Sequence, residues 1–178
     1  MNTIKQIEKI PMGDDDIREV LPDAKIITYP QLKKYKSITQ LLKNPKDYAF
    51  ILYLDTPNSG HWVAVLRYDD KIEVFDIYGK KIDNPLKWTS LEEELSLGIN
   101  DKYLTNLLDN SPLPVFYNNV DYQSESSTIQ TCGRHALNRI LKMLKHSMNG
   151  NDYFKYMKKL KGGRKMTYDE IVSDEIRN

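Results

Sequence analysis

Three residues of this chain, His61, Asp76 and Cys132, have the side-chain types that nucleophilic catalysis requires. A thiolate attacks, an imidazole takes and returns a proton, and a carboxylate on the second ring nitrogen fixes the imidazole tautomer. Each residue also has a structural interpretation, since His61 could be a strand histidine bonded to a backbone group and Cys132 a buried apolar side chain. The catalytic interpretation depends on whether the fold brings the three together.

A predicted β-hairpin brings His61 close to Asp76. Two segments rich in Val, Ile, Tyr and Phe are separated by two turn-forming aspartates. A two-residue turn places Val65 opposite Val74, and it makes His61 the diagonal neighbour of Asp76 across roughly 7 Å of backbone. Because an unpaired buried carboxylate is costly, we expect Asp76 to accept a hydrogen bond from His61.

Cys132 is predicted to begin a helix, because apolar residues recur at helical spacing from this point to Met148. A thiol in the first turn of a helix feels the positive end of the dipole and unpaired N–H groups, which favour the thiolate. Gly133 follows and has no side chain, so we expect the backbone amides of this turn to be open to a substrate oxygen.

Two glutamines upstream of Cys132, Gln123 and Gln130, could each donate a side-chain amide N–H to an oxyanion. The alternative for both is the ordinary polarity of a solvated loop. The residues alone do not choose between them.

A metal site is the competing use of the same side chains. It would combine His61 and Asp76 with either His135 or His146, but no HExxH or similar spacing supports it. The single cysteine, Cys132, excludes an internal disulfide and every zinc site that needs two thiolates. We expect neither a metal nor another cofactor.

The helix and strand patterns that position these residues indicate an α+β fold. We expect one domain spanning residues 1–178, in which helices pack on a central mixed or antiparallel sheet. The predicted strands are 49–55, 61–68, 71–78 and 115–117. The predicted helices are 38–43, 101–108, 132–148 and 151–160, with a short one that ends near Leu21 and a last one after Thr167. Capping residues support these helix starts. Asp14, Asp15 or Asp16 can cap the short first helix, and Asn100 can cap the helix 101–108. Three capping boxes are also present: Ser37/Gln40, Ser90/Glu93 and Thr167/Glu170.

Composition excludes several classes of protein. Lys and Arg number 26 against 25 for Asp and Glu, so the net charge of +1 gives no global attraction to nucleic acid or membrane. The longest strongly apolar run, 49–54, is far below the roughly 20 residues that span a bilayer. Charges near the N-terminus argue against a signal peptide, so we expect a protein with no membrane partner.

Three sequence blocks follow one another in the order His, Asp, Cys: Ser59-Gly60-His61-Trp62-Val63-Ala64-Val65, Phe75-Asp76-Ile77-Tyr78-Gly79 and Gln130-Thr131-Cys132-Gly133-Arg134-His135-Ala136. In this order and at these spacings they resemble the adenovirus maturation protease (adenain) superfamily. That group includes proteases of virophages and large DNA viruses and the cellular SUMO proteases. Papain-like enzymes differ, because their cysteine precedes the histidine.

The resemblance implies a role for each matching residue. Cys132 is the nucleophile at the start of the central helix, His61 the general base and later acid, and Asp76 the carboxylate that orients it. Trp62 is similar to the tryptophan that lies by the substrate site in this superfamily, and Gly133 contributes to the same substrate-binding region.

The resemblance identifies the oxyanion glutamine less directly. Family members usually carry it six or seven residues before the cysteine, where this chain has Ser126 and Glu125. Gln123, nine residues before, fits if the loop is two residues longer, and we prefer it to Gln130.

The function that the resemblance implies is a cysteine endopeptidase of virion maturation. Its substrates would be viral capsid or core precursor proteins, cut after small residues of the Gly-Gly or Ala-Gly type, in the virion and the host-cell cytoplasm. The alternatives are an isopeptidase acting on ubiquitin-like modifiers, an acyltransferase with the same order of residues, and a catalytically silent capsid-associated protein. Disulfide-linked activation by a peptide, known in adenovirus, would need a second cysteine. We also expect a monomer.

A basic stretch near the C-terminus has two interpretations. Its members are Lys155, Lys158, Lys159, Lys161, Arg164 and Lys165, interleaved with Tyr153, Phe154 and Tyr156. The simpler interpretation is a solvated helix face whose aromatic residues dock on the core, and the other is a DNA contact, since relatives in adenovirus use DNA as a cofactor. Gly162-Gly163 within it is interpreted as a hinge between two helices.

Overall fold

The computed structural model of the chain describes residues 1–56, 59–68, 70–79, 102–124, 126 and 128–177. The strands are β1 (Ile26–Thr28), β2 (Tyr48–Thr56), β3 (Ser59–Arg67), β4 (Ile72–Phe75) and β5 (Val115–Tyr117). The α-helices are α1 (Ile4–Ile7), α2 (Asp14–Val20), α3 (Ile38–Leu41), α4 (Tyr103–Asp109), α5 (Cys132–His146), α6 (Gly150–Arg164) and α7 (Tyr168–Glu175), and a 3₁₀ helix covers Tyr29–Lys34.

The five strands form one mixed sheet in the order β1-β2-β3-β4-β5. The outer pairs β1/β2 and β4/β5 are parallel, and the central pairs are antiparallel. In the β3/β4 hairpin Val65 lies opposite Val74, as the two-residue turn predicts. A hydrogen bond of 2.9 Å from the Tyr68 N–H to the Lys71 carbonyl closes the turn of this hairpin.

Both faces of the sheet are covered by helices, which confirms the α+β prediction. Alternate residues of β3 enter different cores, because successive side chains of a strand point to opposite faces. Trp62 and Ala64 lie in one core with Leu137 of α5, together with residues of α6 and α7. Val63 and Val65 lie in the other, together with residues of the 3₁₀ helix, α3 and α4. Helix α5 therefore packs directly behind the strand that carries His61.

The capping predictions have mixed outcomes. Thr167 and Glu170 form the expected reciprocal box at the start of α7. The aspartate cap of α2 is wrong: Gly13 is the N-cap residue, and the Asp16 carboxylate accepts its N–H at 2.7 Å. Ser37 caps α3 as expected, but the Gln40 side chain accepts from the Lys36 N–H, one residue earlier than a capping box requires.

Two segment boundaries differ from prediction in ways that concern the candidate site and the C-terminal stretch. Strand β4 ends at Phe75, so Asp76 lies just beyond the ladder. Helix α6 runs from Gly150 through Gly162-Gly163 to Arg164, and the predicted hinge at the glycine pair is wrong. The predicted caps at Ser90/Glu93 and Asn100 lie outside the described residues.

Candidate active site

The structure brings His61 and Asp76 into direct contact at one end of the β3/β4 hairpin. The imidazole Nε2 lies 3.0 Å from the Asp76 carboxylate Oδ1, and both residues are buried. Since a carboxylate oxygen only accepts, Nε2 carries a proton and donates it. Nδ1 is then the ring nitrogen that faces the rest of the site.

Cys132 is the first residue of α5 and is partly exposed. The His61 side chain and the backbone N–H groups of Trp62 and Gly133 lie close enough to its sulfur to act on its ionisation. The three predicted residues Asp76, His61 and Cys132 therefore lie in one line, with His61 between the other two. Cys132 is the least buried of the three.

The electrostatics of the line favour charge separation between sulfur and imidazole. Burial alone would raise the pKa of the Cys132 thiol, but the hydrogen bond and charge of His61 and the two backbone donors lower it below the usual value. Burial would likewise lower the pKa of His61, but the bonds and charges of Asp76 and Cys132 raise it to about 10. The opposite directions favour the thiolate and imidazolium forms relative to those of the isolated side chains.

Tyr78 covers the imidazole from one side, and the predicted hairpin register already places it opposite His61. Its ring stacks on that of His61 with centroids 5.5 Å apart and planes 15° from parallel. Its backbone N–H donates to the Asp76 Oδ1 at 3.2 Å, so the carboxylate is held by two donors. The FDIYG block carries this signal, because Tyr78 follows Asp76 at the spacing of a tight turn.

A tight turn at Gly79 fixes the position of Asp76. Gly79 has φ +62°, and an added Cβ would lie 2.8–2.9 Å from backbone atoms of Asn119 and Val120. Only glycine fits both conditions without strain. The Asn118 side chain also donates to the Asp76 carbonyl at 2.6 Å. Asp76 is therefore held by its backbone although it lies outside the strand ladder.

The two candidate glutamines occupy different environments. Gln123 is buried, and its Nε2 donates to the Tyr78 hydroxyl at 2.9 Å and to the Ile129 carbonyl at 3.3 Å. Gln130 is exposed, and its backbone N–H donates to the Glu8 carbonyl. Gln123 therefore contacts the ring that covers His61. To donate to a substrate oxygen it must give up one of its bonds, and the one to Ile129 is the longer.

Trp62 and Gly133 pack against each other next to the cysteine. The Trp62 indole is 4% exposed and donates its Nε1–H to the Met12 carbonyl at 2.9 Å. A Cβ on Gly133 would lie 2.9 Å from the Met12 Cβ and 3.1 Å from the Trp62 Cδ1. The glycine is thus needed for close packing, whereas the sequence suggested only open amides. A substrate contact of either residue stays a prediction.

The remaining histidines lie away from this line. His135 is fully buried and pairs with Asp169 at 3.0 Å, and His146 is exposed at the end of α5. Within the described parts of the chain, no group of three or more His, Cys, Asp or Glu side chains is arranged to hold a metal ion.

The aromatic residues of the basic C-terminal stretch dock on the core, as the simpler interpretation predicts. Tyr153 is fully buried, and Phe154 and Tyr156 are partly buried. Two of its cations lie over aromatic rings, Lys158 over Phe154 at 5.8 Å and Lys161 over Tyr168 at 4.6 Å. All six basic side chains are exposed on α6 or directly after it.

The fold and the site together define a mixed α+β protein with a buried His–Asp pair and a partly exposed thiol at a helix start. The chain is 34% identical over 175 residues to the uncharacterized protein V9 of Sputnik virophage, a match that covers 97% of this chain and 98% of the relative. It belongs to the same family as that virophage protein. No protein-family model matches the chain. Among the described residues, no helix is long and apolar enough to cross a membrane.

Proposed function

We propose that the protein is a cysteine endopeptidase that cleaves viral capsid or core precursor proteins during virion maturation. The observation that carries the proposal is the line Asp76–His61–Cys132, in which His61 bonds to Asp76 at 3.0 Å and the pKa values of sulfur and imidazole are displaced in opposite directions. Membership in a family with a virophage protein supports the viral context. The resemblance of the three sequence blocks to the adenain superfamily supports the reaction type.

In this mechanism the Cys132 thiolate attacks the carbonyl carbon of the scissile peptide bond. The carbonyl oxygen becomes an oxyanion, which backbone N–H groups at the start of α5 and the Gln123 amide stabilise. His61 gives its proton to the leaving amine as the C–N bond breaks, and a thioester with Cys132 remains. A water molecule then loses a proton to His61 and attacks the thioester, which releases the carboxylic acid and regenerates the thiolate.

Asp76 acts on this reaction through His61. It accepts the Nε2–H, so it holds the imidazole with Nδ1 toward the sulfur and stabilises the imidazolium that is present before the first proton transfer and after the second. The stacked Tyr78 ring restricts the imidazole further, because the ring cannot rotate without losing that contact.

The test is co-expression of the native protein with the capsid and core proteins of its virus, followed by mass spectrometry of the products. Cys132→Ala and His61→Ala should each abolish processing while circular dichroism shows an intact fold, because thiol and base act as one unit. His146→Ala, which changes an exposed histidine of α5, is the matched control and should process normally. Processing by the Cys132→Ala variant at the native rate would contradict the proposal.

Two further measurements separate the alternatives. Cleavage of a ubiquitin-like fusion in place of capsid protein would identify an isopeptidase. A silent capsid-associated protein predicts an inert thiol, whereas the proposed enzyme predicts that iodoacetamide modifies Cys132 rapidly at neutral pH and that His61→Ala slows the modification.

A DNA contact through the basic C-terminal stretch remains part of this proposal. It is supported by the exposed cations of α6 and by the resemblance to a superfamily in which DNA is a cofactor. Such a contact would let the peptidase move along a packaged genome toward its substrates.

A further inference from the structure

A second His–Asp pair lies behind the candidate active site, and the proposed mechanism does not use it. Asp169 of α7 is 2% exposed, and His135, in the first turn of α5, is fully buried. The imidazole Nε2 lies 3.0 Å from the Asp169 Oδ1 and must donate to it, since the carboxylate can only accept. The His135 Nδ1 has no hydrogen-bond partner among the described residues.

Asp169 is also bonded to two residues of the segment before Cys132, namely Ser124, which follows Gln123, and Thr131. The Thr131 hydroxyl donates to its Oδ1 at 2.6 Å, and the Ser124 backbone N–H donates to its Oδ2 at 3.1 Å. Burial would raise the pKa of this carboxyl, but the bonds from His135, Thr131 and Ser124 lower it, so it is charged at neutral pH. A buried charge with three donors holds those donors in fixed positions.

Thr131 joins this carboxylate to the Gln123 side chain. It is fully buried directly before Cys132, and its Oγ1 lies 3.0 Å from the Gln123 Oε1. A hydroxyl has one proton, and the carboxylate and the amide oxygen are both acceptors. The single hydroxyl therefore links the two acceptors, and the charged carboxylate is the closer of them.

The far end of Gln123 reaches the tyrosine that stacks on the imidazole. Its Nε2 donates to the Tyr78 hydroxyl at 2.9 Å, and the Tyr78 ring stacks on His61. The chain of side-chain hydrogen bonds runs from His135 and Asp169 through Thr131 to Gln123 and Tyr78. Tyr78 is the link that contacts the imidazole.

We propose that the buried pair His135 and Asp169 positions Gln123 through Thr131 and Ser124, so that the amide serves as the oxyanion donor. The inference rests on the proposed peptidase function and deepens it. His135 and Asp169 are positioning residues, because neither touches the reacting atoms. The pair sets the amide orientation, and its effect on hydrolysis passes through Gln123 alone.

The first experiment measures the position of Gln123 without any activity. In the ¹⁵N-labelled full-length protein, the two side-chain N–H signals of Gln123 are assigned by their loss in Gln123→Ala. Thr131→Val keeps the shape but removes the hydroxyl, so both signals should shift and exchange faster with water. Thr131→Ser should restore them. Asp169→Asn should also shift them, because an amide cannot accept from three donors as the carboxylate does.

The second experiment measures hydrolysis by the same variants. Thr131→Val should lower kcat about tenfold, the loss expected for one hydrogen bond, and leave KM within about twofold. Thr131→Ser should recover most of that loss. In a Gln123→Ala background Thr131→Val should cause no further loss, because the residue through which it acts is gone.

The matched control is Ser173→Ala on α7. Ser173 is as buried as Asp169, but its hydroxyl has no hydrogen-bond partner among the described residues. This variant should leave the Gln123 signals and kcat unchanged, which separates positioning from a general disturbance of α7.

The outcomes distinguish the two proposals. Unchanged Gln123 signals in Thr131→Val overturn the positioning role, whether or not the protein cleaves peptides. The same holds if the losses from Thr131→Val and Gln123→Ala multiply. If the signals respond but the native protein shows no Cys132-dependent hydrolysis, the peptidase proposal fails, and the positioning of Gln123 for that reaction fails with it.

Discussion

Removing the charge of Asp76 while keeping its shape tests the site most sharply. Asp76→Asn retains an oxygen that can accept from His61, but it loses the negative charge that stabilises the imidazolium. A hydrogen bond to a charged group contributes about 1.5–3 kcal/mol. If that contribution is made in the transition state, kcat/KM should fall by about 10- to 150-fold.

Asp76→Ala removes more than the charge. It leaves the His61 Nε2–H and the Tyr78 N–H, now 3.0 Å and 3.2 Å from the carboxylate oxygen, without an acceptor. We expect a loss at the upper end of that range, about 100-fold or more. Some turnover should remain, because the carboxylate orients the base but does not itself transfer the proton. Cys132→Ala should therefore be less active than either variant.

The pH profile gives a second readout of the same substitution. In the native protein, activity should rise as the thiol ionises below its usual pKa and fall only as His61 loses its proton at a pKa raised to about 10. Asp76→Asn removes one group that raises the His61 pKa, so the alkaline limb should move to lower pH. Because His61 of the variant holds its proton and positive charge less strongly, it lowers the thiol pKa less. The acid limb should therefore move to higher pH.

The assay is hydrolysis of a fluorogenic peptide from pH 5 to 10, with iodoacetamide modification of Cys132 over the same range. Asp70→Asn, which changes an exposed aspartate of the same hairpin, is the matched control. A native rate and profile in Asp76→Asn would refute the coupling of Asp76 to His61. Complete inactivity of Asp76→Ala, equal to that of Cys132→Ala, would refute a purely orienting role.

Three other predictions concern the surroundings of this line. Gln123→Ala should lower kcat about a hundredfold with little change in KM, and Gln130→Ala should be silent; the reverse pattern in steady-state kinetics would exchange their roles. Gly79→Ala should lower the unfolding free energy by about 2 kcal/mol or more in urea titrations, because its φ of +62° and its close neighbours exclude a Cβ; an unchanged midpoint would contradict that geometry. Replacing three exposed lysines of α6 by Gln should weaken DNA binding and lower its salt slope by about 0.9 per lost phosphate contact, and no binding at low salt by the native protein would leave the stretch a solvated surface.

The contact between His61 and Asp76 could be predicted from sequence because it depends on local geometry. A two-residue turn fixes the register of both strands, and the register fixes which side chains are neighbours. The confirmed pairing of Val65 with Val74 shows that the register set by the turn holds along the hairpin toward the site. The start of α5 at Cys132 was predictable for a similar reason, since the helical period of its apolar residues begins there.

The environment of Gln123 could not be predicted in the same way. Its partner Thr131 is 8 residues away along the chain, and Asp169, which Thr131 also contacts, lies 38 residues beyond Thr131. The meeting of Thr131 and Asp169 depends on how α7 packs against α5. No local pattern encodes that packing. The prediction of a hinge at Gly162-Gly163 was wrong because it used only local propensity. Glycine disfavours a helix, yet α6 continues to Arg164. The helix ends at Lys165, a left-handed residue whose φ is 53°.

Asp76, the carboxylate of the candidate active site, is held in place although it lies outside regular structure. Strand β4 ends one residue earlier, so no ladder bond fixes it. The turn at Gly79 and the Asn118 side chain, which donates to the Asp76 carbonyl at 2.6 Å and to the Val120 carbonyl at 2.9 Å, replace the ladder. Asn118 directly follows β5, so the parallel β4/β5 pair sets the carboxylate by way of one amide group. Strand β5, at the edge of the sheet, thereby helps to orient His61, although it contributes no side chain to the line Asp76–His61–Cys132.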